Sequence, residues 1–101
     1  MVAKGLNVRL DDLALSQLQQ AYNYIKKDSL KNSLKVKKDI FSACMAIANH
    51  PEKYTIDKYK LENDDSYRAF EIHRYRIAYR ILKTEIRILR LRHTNMEPLE
   101  Y

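Results

Sequence analysis

One glycine and two prolines among 101 residues leave little material for tight turns. That scarcity excludes a collagen-like or linker-rich chain, and one glycine cannot build a phosphate-cradling loop. A lone cysteine, Cys44, has no partner for an intramolecular disulfide. A secreted disulfide scaffold is thereby excluded, and a reducing cytoplasm is the expected location. No apolar run approaches the roughly 20 residues of a membrane span. The opening MVAKGLNVRL lacks an apolar stretch of signal-peptide length. A soluble protein without a membrane partner is expected. Nucleophile-elbow spacing is also missing. His50, His73, His93 and Cys44 show no metal-ligand spacing, so neither metal nor cofactor is expected.

What remains is ordinary globular material, 46% hydrophobic and 32% charged. Its length suits a single domain over residues 1–101, large enough to bury roughly 60–70% of its unfolded surface. The net charge of +6 is concentrated. Residues 66–96 hold eight basic groups and two acids, and the rest of the chain balances to zero. Ten of 11 lysines lie at or before Lys60, and seven of eight arginines at or after Arg68. Arginine offers a planar fork suited to phosphate and carboxylate. The arginine-dense segment therefore points to an anionic partner, nucleic acid or acidic protein.

Apolar spacing sets the expected elements. Leu6, Val8 and Leu10 alternate with polar residues, as in a short strand buried on one face. Asp11-Asp12 would cap a helix running to about Lys27, with Leu15, Leu18, Tyr22 and Ile25 on its inner face. Asp28-Ser29 would cap a second helix whose stripe is Val36, Ile40, Cys44 and Ile47, with Phe41 and Ala48 beside it. Asn49-His50-Pro51 would end it. The short connection implies a helical hairpin. Residues 52–66 have no period and read as a loop. Residues 67–72, 75–81 and 85–92 read as strands of an antiparallel meander. In the last of these, Ile86 and Ile88 fall on one parity and Leu89 and Leu91 on the other, which a bulge or a strand covered on both faces would explain. The expected class is α+β, with order β-α-α-β-β-β and the hairpin laid on an antiparallel sheet.

In this order the residues resemble a family. Asn49-His50-Pro51-Glu52 closes the second helix. Tyr75-Arg76-Ile77-Ala78-Tyr79-Arg80-Ile81 is similar to a Y/H-R-[LI]-x-Y strand. Residues 88–101 resemble a final strand with a basic, tyrosine-containing tail. Together these resemble the RelE/ParE superfamily of toxins from bacterial type II toxin–antitoxin modules. The resemblance implies a cognate antitoxin, in a toxin–antitoxin hetero-oligomer, and one of two activities. RelE-type members are metal-independent endoribonucleases that cleave mRNA on the ribosome; ParE-type members poison DNA gyrase and are not nucleases. The first is the leading expectation here and the second its alternative. A third reading is a domain that binds antitoxin or nucleic acid without poisoning anything.

Ribonuclease chemistry needs a base or aligner for the 2′-hydroxyl, cations for the developing phosphate charge, and an acid for the leaving oxygen. The resemblance assigns Arg76 to the scissile phosphate and Tyr101 to base stacking or proton transfer. His93, near the end of the last strand, suits acid or base work. Arg68, Arg74, Arg80, Arg90, Arg92 and Lys60 are candidate nucleic-acid contacts, with Lys58 as a weaker one, and Glu97 could serve as a general base in the tail. The bland alternatives are a solvent-facing Arg76, an edge-capping His93, a frayed Tyr101 and solvated loop lysines. Where ribonuclease members carry a tail arginine ahead of the tyrosine, this chain has Asn95 and Met96.

Overall fold

The computed structural model describes residues 6–101. Strand β1 (Asn7–Leu10) leads into helix α1 (Asp12–Lys26). Helix α2 (Leu30–Ala46) follows and tightens into one 3₁₀ turn at Ile47–Asn49. Strands β2 (Tyr67–Ile72), β3 (Tyr75–Ile81) and β4 (Glu85–His93) complete the fold. The element order and the α+β class match the expectation.

The sheet order is β1-β4-β3-β2. Strands β2, β3 and β4 form the expected antiparallel meander. β1 joins it in parallel beside β4, with Val8 opposite Ile86, so the four-stranded sheet is mixed rather than wholly antiparallel. A parallel pair needs a crossover connection, and here the whole helical hairpin and two strands intervene.

Tyr79, Ile77, Ile86 and Ile88 from the sheet meet Leu18, Val36, Ile40, Cys44 and Ile47 from the helices in one core. Burial pushes the Cys44 thiol up to about 12, so it stays a neutral core group. In α2 the expected stripe is buried, and the Ser29 hydroxyl accepts the Asn32 N–H at 3.0 Å as an N-cap. Phe41, however, is half exposed.

The inner face of α1 is rotated by one residue from the expected stripe. Ala14, Leu18 and Ala21 are buried, while Leu15 is 49% exposed. Small alanines let the helix approach the sheet closely, which bulk-weighted spacing does not register. Asp11 also departs from the expected role. It precedes α1 but makes no side-chain cap; its Oδ1 instead accepts Nε and Nη2 of Arg87 at 3.0 and 2.7 Å.

The β2–β3 turn shows what a chain without spare glycine does. His73 and Arg74 both adopt positive φ, 51° and 66°. Such angles cost a non-glycine residue roughly 1–2 kcal/mol each. His73 Nε2 lies 2.7 Å from Asp39 Oδ2, which ties the turn to α2.

The parity slip in β4 is a bulge. Ala78 pairs with Arg90 and Tyr79 with Ile88, leaving Leu89 as the extra residue. Ile86 and Ile88 before it, and Leu91 after it, all reach the core. Deleting Leu89 leaves strict alternation through the strand. The ΔLeu89 protein should therefore fold, keeping a native far-UV circular dichroism spectrum and one cooperative unfolding transition. Deleting Arg87 should abolish both, because it throws Ile88 to the wrong face.

Candidate functional site

The sheet face turned away from the helices is built from alternating positions. β3 contributes Arg76, Ala78 and Arg80; Tyr67, Ala69 and Glu71 of β2 lie opposite them in register. The bulge turns Arg90 and Arg92 of β4 onto this same face, where they pair with Ala78 and Arg76. Buried Ala69 and Ala78 keep its floor low. Segment 57–61 and tail 97–101 settle on top. The Tyr101 N–H donates to the Tyr59 carbonyl at 3.1 Å, and the Leu61 N–H to the Tyr101 carbonyl at 2.7 Å.

Asp57 is the hub. Its side chain is 0% exposed. Oδ1 accepts Arg76 Nη2 at 2.9 Å and the Tyr59 N–H at 3.0 Å; Oδ2 accepts the Tyr101 hydroxyl at 2.7 Å. Burial by itself would raise its pKa, but hydrogen bonds from Tyr101, Arg76 and the Tyr59 N–H outweigh burial and hold the carboxyl below its ordinary value. Tyr101 is shifted the other way. Burial, together with its hydrogen bond to the Asp57 carboxylate, drives the phenol far above its ordinary range. This tyrosine keeps its proton.

Arg76 is also held, although its Nε is buried without a hydrogen-bond partner among the described residues. Glu71 Oε2 lies 3.4 Å from its Nη1, and its guanidinium stacks 4.9 Å from the Tyr59 ring centroid. Arg90 lies 3.9 Å over the Tyr101 ring and donates to the Leu99 carbonyl; Arg92 Nε donates to the Glu97 carbonyl at 2.7 Å. Lys60 sits over the rings of Tyr67 and Tyr101, at 4.7 and 5.5 Å. Arg80 lies 4.7 Å over Tyr67, and its Nε donates to the Ser66 hydroxyl at 3.2 Å. A hollow of about 90 Å³ remains among Arg76, Arg90, Arg92, His93, Tyr59 and the tail.

This face thus brings together Arg76, Tyr101, Arg80, Arg90, Arg92 and Lys60. Arg68 and Arg74 lie elsewhere, and His93 borders the hollow from the end of β4 with its ring turned away. Arg68 pairs with Tyr79, on the helix-facing side, and its Nη1 donates to the Tyr54 carbonyl at 2.8 Å. Arg74 lies in the strained β2–β3 turn. His93 pairs with Tyr75 and packs edge-on against it, with ring centroids 5.0 Å apart. Its imidazole is therefore on the opposite side of the sheet from Arg76. His93 Nδ1 accepts the Asn95 N–H at 3.0 Å, which leaves the proton of the neutral ring on Nε2.

Sequence spacing missed Asp57 and Tyr59. A single acid in an aperiodic, lysine-flanked segment has the signature of a solvated loop. Its burial depends on partners supplied by β3 and the tail. Among the described residues, no cluster of three or more His, Cys, Asp or Glu groups could hold a metal ion. None of the described helices is long and apolar enough to cross a membrane.

No curated protein matches the chain closely enough to count as a relative. Solved structures do. The chromosomal ParDE toxin–antitoxin system from P. aeruginosa superposes with a TM-score of 0.70 at 16% identity, covering 90% of this chain and 98% of that one. The RelBE2 toxin–antitoxin complex from Mycobacterium tuberculosis gives 0.62 at 18%, covering 91% and 94%. The YoeB dimer from Staphylococcus aureus gives 0.54 at 21%, covering 87% and 95%. At these identities the likeness is one of fold. Family membership comes from a sequence profile described as the ParE toxin of the type II toxin–antitoxin system parDE, which matches residues 8–98. The chain belongs to that family and is a type II toxin of the RelE/ParE superfamily.

Proposed function

We propose that this toxin acts by binding a protein target, DNA gyrase, rather than by cutting mRNA, and that a cognate antitoxin neutralises it. The observation that carries this reading is the buried Asp57 carboxylate, which holds both Arg76 and Tyr101. A phosphate clamp needs an arginine whose charge is free for the transition state. A general acid needs a pKa near the working pH, and that of Tyr101 lies far above it. His93, the remaining candidate for proton transfer, borders the hollow, but its ring packs against Tyr75 on the other side of the sheet. The arginines then serve as an electrostatic and hydrogen-bonding surface for a partner. The folds of the ParDE and RelBE2 complexes support an antitoxin partner.

The test pairs two reactions with antitoxin-free protein. Cell-free translation followed by primer extension should show intact mRNA, while a gyrase supercoiling assay should show lost activity. Discrete, ribosome-dependent cuts would overturn the reading. They are the outcome expected of the ribonuclease alternative, which the hollow between Arg76, Arg90 and Arg92 favours as an anion-sized opening. That alternative requires the tail to lift from Arg90 and Arg92 first.

A further inference from the structure

Helix α2 carries a second apolar stripe that the core does not use. Leu30, Leu34 and Phe41 are 51%, 53% and 50% exposed, and half-buried Met45 continues the row. At 3.6 residues per turn the four fall within roughly a 60° arc, beside the buried row of Val36, Ile40 and Cys44. Helix α1 adds to the same groove. The Lys37 ammonium lies 5.0 Å over the Tyr22 ring, so Tyr22 faces this edge of α2. Leu15 stands two turns before Tyr22 on that flank and is 49% exposed.

The spacing and charge of this stripe are selective. Leu30, Leu34, Lys37 and Phe41 are separated by four, three and four residues, the repeat of a coiled-coil seam. An arc this narrow is the width of a helix–helix seam, whereas an apolar face laid on a broad surface spans about 100° or more. Lysines border the stripe on both sides. Lys38 and Lys31 follow one edge, and Lys37 stands in the seam toward α1. Lys35 is paired with Asp39 at 2.9 Å, but among the described residues no acid pairs with Lys31, Lys37 or Lys38. A cation inside an apolar seam fixes register when the partner sets an acid against it. A second copy of this chain does not meet that need. Paired in register, parallel or antiparallel about its midpoint, it sets Lys37 against Lys37.

We propose that the hairpin groove receives an amphipathic helix of another protein, apolar along one stripe, acidic at its margins and with a carboxylate against Lys37. Leu30 to Met45 spans about 22 Å, so roughly 15 residues of that helix lie along the seam. The apolar anchors supply affinity, and the lysines set orientation and speed the encounter. The groove lies on the helices rather than on the arginine face, and its occupant does not depend on which target the toxin poisons.

A designed peptide of about 21 residues tests this: three heptads with leucine at a and d, glutamate at e and g, and glutamate replacing the central d leucine. Labelled and followed by fluorescence anisotropy, it should bind the whole chain saturably. The same residues in an order without helical periodicity should bind at least tenfold more weakly. Leu34→Ser and Phe41→Ser together, at exposed positions, should keep a native far-UV spectrum and weaken the peptide at least tenfold. Lys37→Glu should weaken it by a similar factor, and a peptide with lysine for its central glutamate should recover binding to that variant. Absence of saturable binding, equal binding of the shuffled peptide, indifference to the double serine variant, or failure of the charge exchange would each overturn the proposal. So would binding lost with Arg80→Ala, which would place the peptide on the arginine face. Vesicles of phosphatidylglycerol and phosphatidylcholine that retain the wild type but not the double serine variant would make the occupant a lipid surface. A dimer that the double serine variant dissolves would make it a second copy. Either result would overturn the proposal.

Discussion

Replacing Asp57 with alanine should destabilise the protein by roughly 3–5 kcal/mol, the usual cost of removing one partner from a buried ion pair. The carboxylate is fully buried and accepts three hydrogen bonds. Without it, Arg76 is left with Glu71 at 3.4 Å as its remaining carboxylate, and the Tyr101 hydroxyl loses its acceptor. Segment 57–61 and the tail should then separate from the sheet. Urea denaturation at neutral pH measures the loss; a change under about 1 kcal/mol would show that the hub does not hold this face together. Asp57→Asn keeps the shape and separates charge from packing. The pH dependence has a definite sign. The folded-state pKa lies below the ordinary carboxyl value of 3.8. The stabilisation is therefore complete above that value and is lost as pH falls through the lowered one. Acid unfolding of the wild type should steepen in that window, and Asp57→Ala should lack this component.

Tyr79→Ala should cost a comparable 3–5 kcal/mol, whereas Tyr79→Phe should cost only about 1. Tyr79 is 0% exposed in the middle of β3. Its ring meets Phe70 edge-on at 6.3 Å, and Phe70 stacks on Tyr54 at 4.4 Å. Its hydroxyl donates to the Pro51 carbonyl at 2.7 Å, anchoring the start of the long loop that delivers Asp57 to the other face. Alanine opens a cavity and frees that anchor; phenylalanine loses the anchor alone. Equal losses for the two variants, read as urea midpoints with unchanged slopes, would show that the hydrogen bond rather than packing dominates at this position.

Local periodicity explains why some of this was legible in the sequence. β3 alternates over seven residues, and the stripe of α2 repeats at helical spacing, so each element announces its own buried face. The parity slip in β4 allowed either a bulge or a strand covered on both faces; register alone shows the bulge at Leu89 and which arginines it re-aims. Pairing of β1 with β4 left no local mark, because a four-residue alternating strand reads the same beside any neighbour. In α1, weighting by bulk chose Leu15, while close approach to the sheet selected Ala14. At the candidate site, Arg76 and Tyr101 were legible as motif residues. What restrains them was not, because Asp57 becomes buried only after β3, the loop and the tail have met. Arg68 and His93 could be placed on the opposite side of the sheet only once strand register was known.

The position of β1 bears on how the chain is made. During synthesis the first strand leaves the ribosome long before β4, the strand it pairs with among the described residues. The helical hairpin, whose contacts are local, can form early, but its apolar inner surface has no sheet to cover it until β3 and β4 emerge. The sheet therefore cannot close until β4 is available, and until then the hairpin's apolar side stays uncovered. A protein that binds the nascent hairpin would act before the arginine face exists at all. Timing, as well as affinity, would then govern how much active toxin a cell accumulates.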